Sequence, residues 1–229
     1  MNWNEGLPTE PRIEVAVPGF GQATLIGFEP RMFRVLGEHL GQCTLLEMRA
    51  ESDLVEYLQG APLPMVAKRL AYWFIPSGQG SAEELRDIAA TVLGKLREFA
   101  RNAKERGILL YAGNEALKAA REKAWKHWLP ATTFDDDSEG NVAAGNKPQI
   151  VLWADFWGES ELDRVQILTH ELTHLLIGTW DFCAAEWDVE KKQFSIWTEN
   201  RAQVSQADLL ENADSFAGFC CYAGKYGHP

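Results

Sequence analysis

Two histidines and a glutamate carry the most specific chemical signal in this sequence. His170, Glu171 and His174 stand as His-Glu-x-x-His within QILTHELTHLLIGTWD, residues 166–181. On a helix, side chains four apart share one face, so His170 and His174 can offer two imidazole nitrogens to one metal ion. Glu171 lies beside them, within reach of a water on that metal. A zinc ion lowers the pKa of such a water to about 7, and a neighbouring carboxylate can take its proton as it attacks a carbonyl. Catalytic zinc sites keep one position open for water, whereas structural ones close with four protein ligands. Two histidines plus one carboxylate make the open kind, with Zn2+ as the expected cofactor.

The neighbouring residues predict the helix this chemistry needs. Ser160 can cap it, with Asp163 three residues later. Leu162, Val165, Leu168, Leu172 and Leu175 or Leu176 form an apolar stripe, and Gly178 stops the helix. The motif therefore falls late on an amphipathic helix with a buried face, where two unpaired histidines would be costly. The plainer alternative is a surface helix that happens to carry two histidines, and the capped, apolar context argues against it.

The third ligand separates the classes of metallopeptidase. An extended HExxHxxGxxH motif is absent, because Ile177 and Trp180 stand where its glycine and last histidine would fall. Glu211 on a later helix is one candidate, and Glu186 and Cys183 are others. Gly178-Thr179-Trp180-Asp181 offers Asp181 just past the helix. HExxH followed by GTxD resembles the aspzincins, the deuterolysin and lysine-specific metalloendopeptidase family of zinc metallopeptidases. Residues 150–157, IVLWADFW, resemble that family's strand and aromatic pair ahead of the zinc helix, and residues 212–216, NADSF, resemble its later helix. The resemblance spans about residues 85–224 and is strongest over 149–218.

The resemblance implies zinc on His170, His174 and Asp181, Glu171 as general base, and a peptide or protein substrate. It also implies acidic groups on the last helix, here Asp214 and Glu211, that help form a pocket for a lysine side chain. Asp214 has a second possible role, supporting a zinc-ligating histidine from behind. The sequence departs from the family after Asp181, where a Tyr-Gly is usual and residues 182–186 read FCAAE. The oxyanion donor is thereby left open, with Tyr222 and Tyr226 as candidates near the end of the last helix.

At 229 residues and 46% hydrophobic, the chain can bury a sizeable core. A net charge of −11 disfavours nucleic acid and anionic membrane surfaces, and mildly favours a basic substrate or partner. No apolar run approaches membrane-spanning length, and the first 15 residues have neither the basic nor the apolar region of a secretory signal. The expectation is a chain that is cytoplasmic as synthesised, or exported by a specialised secretion system as a toxin or effector, with secretion machinery or an inhibitor as a further partner. The four cysteines, Cys43, Cys183, Cys220 and Cys221, are not a disulfide-dense set.

The expected fold is α+β, a zincin-like metallopeptidase domain over residues 81–229 preceded by a β-rich extension over 1–80. In that extension, residues 12–17 and 22–28 read as strands, 33–40 as a short helix and 43–48 as a third strand. Pro62 and Pro64 interrupt the chain before 65–74, whose type the pattern leaves open. His39 reads as structural. Ser81 and Glu84 open a helix running to Gly107, and Asn114 opens another to about residue 129. The polar stretch 133–145 reads as a loop, since its acidic run lacks calcium-loop spacing. Residues 149–153 read as a strand near the cleft, an edge on which substrate backbone could pair, with Trp153 as a substrate contact. Residues 186–197 suggest a hairpin around Lys191 and Lys192. Ser205 and Asp208 start a last helix that Gly224 ends. Two rival functions stay open: a non-catalytic binding protein on a zincin fold, and a zinc hydrolase of a non-peptide amide.

Overall fold

The computed structural model describes residues 12–113, 131–134, 149–183, 185–188, 193–196 and 203–222. The chain begins with a hairpin, β1 (Arg12–Val17) and β2 (Gly21–Ile26), paired antiparallel. Three helices follow: α1 (Pro30–Leu58), α2 (Pro64–Phe74) and α3 (Ala82–Arg106). They cross over to β3 (Ile108–Ala112), which pairs parallel to β2. β4 (Ala131–Phe134) and β5 (Gln149–Leu152) complete a five-stranded sheet of order β1-β2-β3-β5-β4. β5 runs parallel to β3, and β4 runs antiparallel to β5. A 3-10 turn (Ala154–Gly158) leads into α4 (Glu161–Ile177). A separate hairpin, β6 (Ala185–Asp188) and β7 (Gln193–Ile196), precedes α5 (Gln206–Leu209) and α6 (Ala213–Tyr222). The architecture is mixed α and β, helix-rich, around one small sheet. Among the described residues no helix is long and apolar enough to cross a membrane.

The strands alternate as a sheet with two different faces should. Ala23, Leu25, Ile108, Leu110, Ile150 and Leu152 join the main core with the helices, whereas Tyr111 and Val151 form a second cluster with Ile26 and Trp153. α1 packs against β1, α3 against β2, and α4 against β4 and β5. α4 also packs between α1, α3 and α6, so the motif helix is central to the core.

The β-rich expectation for the first 80 residues is corrected. After the hairpin, the described part of this stretch is mostly helix. Residues 43–48 belong to α1, and so do residues 33–40. The buried positions Leu36, Leu40, Cys43, Glu47, Ala50 and Leu54 follow the helical period, while Leu45 and Met48 are 56% and 54% exposed. Those two exposed apolar residues make the six-residue window look like a strand; only the longer window shows the period. The chain is interrupted between α1 and α2 as expected, and Pro64 opens α2, because a proline at the first turn lacks only an N–H that would be unsatisfied anyway. β2 pairs with β3, and residues from both sides of position 80 share the main core.

Three further expectations change. Residues 131–134, partly assigned to a loop, form strand β4. β5 is interior, paired on both sides, so the sheet edge beside α4 is β4 and not residues 149–153. The last helix is two pieces, with residues 210–212 turned out between α5 and α6. The helices over 81–107 and 160–178 match expectation at both ends. The helix expected over 114–129, the loop after residue 134, Lys191, Lys192 and Tyr226 lie outside the described residues.

Candidate metal centre

α4 is set at both ends by its own sequence. Ser160 Oγ accepts the Asp163 N–H at 3.2 Å, satisfying one of the four free donors at the start. Gly178 takes a left-handed φ of 64° and returns its N–H to the His174 carbonyl at 3.1 Å. A side chain at this φ would be strained, so glycine is what lets the chain turn sharply after Ile177. The turn delivers Thr179 and Asp181 back toward the histidines.

Three ligand atoms meet there. His170 Nε2 and His174 Nε2 lie 3.0 Å apart, and Asp181 Oδ1 is 3.2 Å from each. Two atoms bound at ~2.0–2.1 Å to a tetrahedral zinc lie about 3.3 Å apart, so this triangle has the edges of one face of such a coordination sphere. Among the described residues, His170, His174 and Asp181 form the one group of three or more such side chains with this convergence.

The outer hydrogen bonds fix what the inner atoms present. His174 Nδ1 is 2.7 Å from the Thr179 carbonyl, which can only accept, so the proton sits on Nδ1 and Nε2 keeps its lone pair. Thr173 Oγ1 donates to the His170 carbonyl at 2.8 Å and therefore accepts from Thr179 Oγ1, also at 2.8 Å. Thr179 Oγ1, its one proton spent, can only accept at its 3.3 Å contact with His174 Nδ1. His170 Nδ1 is 2.8 Å from Asp214 Oδ1, an acceptor, so its Nε2 also turns a lone pair inward. Two lone pairs and a carboxylate oxygen thus face one point, which favours a positive charge there. With no cation at that point, protons on the imidazole Nε2 atoms can take its place, and the titration behaviour reflects this. Burial lowers the His170 pKa, but the Asp214 and Asp181 carboxylates outweigh it and hold it well above the usual histidine value. Burial likewise opposes ionisation of Asp181, and the hydrogen bonds from His170 and His174 overcome it and lower its pKa. The residues present fit a divalent cation by donor type, spacing and tautomer.

The break between α5 and α6 holds the segment that carries Asp181. Trp180 donates its N–H to the Glu211 carbonyl at 2.7 Å and accepts from the Ala213 N–H at 2.9 Å. Asn212 is fully buried, and its Oδ1 accepts the N–H groups of Phe182 at 2.9 Å and Cys183 at 3.0 Å. Its Nδ2 donates to Ser215 Oγ at 3.2 Å. Residues 211–214 therefore clamp the backbone on both sides of Asp181 and, through Asp214, orient His170.

The remaining sequence candidates separate clearly. Glu171 is 7% exposed on α4, one residue from His170. Asp214 supports His170 and is spent on that role. Glu211 is paired with Lys95 Nζ at 2.5 Å and is not a ligand. Cys183 is buried and lies outside the ligand group. Glu186 lies on β6 and Tyr222 ends α6. Trp153 packs with Tyr111 and Val151 on the second face of the sheet, and a Cβ on Gly113 would strike its ring. His39 is 3% exposed and accepts from Arg164 Nε at 3.1 Å, a structural contact. Thr173, Thr179 and Asn212 are the parts that sequence reading passed over. No family model matches the chain, and no curated protein matches it.

Proposed function

We propose that this protein is a zinc-dependent metalloendopeptidase of aspzincin type on a zincin-like fold. The carrying observation is the inward triangle of His170 Nε2, His174 Nε2 and Asp181 Oδ1, with both Nδ1 atoms committed to acceptors behind them. Zinc held by these atoms would supply a polarised scissile carbonyl and an acidified water. The exposed carboxylate of Asp181 leaves the site open on one side, as a site for substrate requires. Glu171 is the general base: it takes one proton from water as the water oxygen bonds to the carbonyl carbon. The same carboxyl gives that proton to the leaving nitrogen as the carbon–nitrogen bond breaks. Asp214 and the Thr179 carbonyl hold the imidazoles in the ligating tautomer throughout.

A mixed peptide library digested with and without chelator tests this reading. Internal cleavage that stops with chelator and returns with Zn2+ is the expected result. Cleavage indifferent to chelator, or none by zinc-loaded protein, sinks it. The rival of a structural zinc in a binding protein predicts bound zinc without cleavage, and a buried Glu171 beside the ligands is what that rival leaves without a purpose.

A further inference from the structure

We propose that Trp180 and Phe182, the residues on either side of Asp181, form an apolar subsite that selects an aromatic or large aliphatic substrate side chain beside the cleaved bond. This rests on the peptidase reading above and names its substrate class.

Exposure is the first observation. Trp180 is 66% and Phe182 43% exposed. Single exposed apolar residues need no explanation, but two aromatics bracketing a ligand do. The backbone beneath them is held: residues 180–183 bond to Glu211, Asn212 and Ala213 through four hydrogen bonds of 2.7–3.0 Å. The fold holds two rings in water at a fixed place, an arrangement that lowers the ordering cost of binding an apolar group.

Position is the second observation. The side chains of His170 and His174 are 18% and 15% exposed, whereas that of Asp181 is 67% exposed. The open side of the centre is therefore at Asp181, whose immediate neighbours in the chain are Trp180 and Phe182. A chain reaching the metal from solvent passes this lip.

Charge is the third. A lysine pocket would need a carboxylate not already engaged. Asp214 is 13% exposed and holds His170 Nδ1, and Glu211 is neutralised by Lys95. Neither residue expected to attract a cation is available to do so, and the groups left at the lip are aromatic. The overall charge of −11 acts on encounter at long range, while selection at contact follows the surface touched.

The test compares zinc-loaded wild type, Trp180→Ala, Phe182→Ala and Trp180→Leu on one mixed peptide library, with cleavage sites read by mass spectrometry and zinc content measured on every sample. Wild type should cut mainly beside Phe, Tyr, Leu or Met. Trp180→Ala should lower kcat/KM on those peptides about tenfold, with less than about a twofold change where Ala or Ser occupies the position, and Trp180→Leu should restore most of the loss. Cuts concentrated beside Lys or Arg overturn the subsite and leave the peptidase reading intact. So does an equal loss on all peptides with zinc retained. Absence of any cleavage by zinc-loaded wild type overturns the peptidase reading and the subsite together. Should the alanine variants lose zinc, the wild-type site preference decides by itself.

Discussion

Both imidazoles are held by the nitrogen that does not face the ligand triangle, and the two holders differ. His174 gives its Nδ1 proton to a neutral carbonyl, that of Thr179, whereas His170 gives it to the Asp214 carboxylate. A carboxylate partner makes the ring a more basic ligand. Asp214→Asn keeps an acceptor oxygen and removes the charge, so zinc affinity should fall about 10- to 100-fold with the fold intact. Chelator competition measures it, and unchanged affinity would show that the ion pair does nothing for the metal. Glu47 is a different kind of buried acid, 2% exposed, with Oε1 lacking any hydrogen-bond partner. Burial pushes its pKa from the ordinary 4.5 up to about 7, with Glu51 adding to the shift and Lys104 opposing it. The folded state therefore holds this proton more tightly than the unfolded chain. Stability from it is full below pH 4.5 and is lost as pH rises through about 7. Glu47→Gln should match wild type at low pH and gain on the order of 2 kcal/mol above pH 8, seen as a Tm difference that opens across that window. The convergence of His170, His174 and Asp181 was legible because they belong to spaced motifs, HExxH and GTxD. The parts played by Thr173, Thr179 and Asn212 were not, because each works through two or three hydrogen bonds whose partners the fold supplies.

Between residue and molecule, α4 and the break before α6 divide the work. α4 brings His170 and His174 together by its period, and Gly178 turns the chain that carries Asp181 back toward them. The break supplies the clamp, and Asn212 is its centre. Asn212→Ala strips two N–H groups of their acceptor, at about 1–3 kcal/mol for each buried donor left unsatisfied, and should lower both Tm and zinc affinity. Asn212→Asp keeps the accepting oxygen and should restore zinc binding, which separates loop positioning from general instability. Zinc affinity equal to wild type in Asn212→Ala would remove the clamp from the site. Capping signals made α3 and α4 readable to the residue, since Ser81, Ser160, Gly107 and Gly178 act locally. Residues 43–48 and 210–212 were misread for the opposite reason. The first needed the period of a 29-residue helix, and the second is pulled out of helix by Trp180, some thirty residues earlier in the chain.

The whole molecule places α4, the helix of the HExxH motif, between three others and against the strands β4 and β5. Such a centre is rigid because its neighbours are close-packed. α2 and α6 meet where Gly218 lies against the ring of Trp73, which is itself fully buried, and a Cβ at 218 would strike that ring. Gly218→Ala should therefore cost about 1–3 kcal/mol by overpacking, visible as a lower Tm. If it leaves Tm unchanged, the α2–α6 contact is looser than described. The α+β class was legible from element types, but the sheet order was not. β2 pairs with β3 across more than 80 residues of intervening chain, a contact that no local pattern encodes. The most direct measurement is the rate of peptide-library cleavage by zinc-loaded Glu171→Gln beside wild type, with zinc counted in both. Removing the proton acceptor while leaving the ligands should keep about one zinc per chain and lower the rate at least about 100-fold. Cleavage at the wild-type rate would contradict Glu171 as the base and, with it, the mechanism built on this centre.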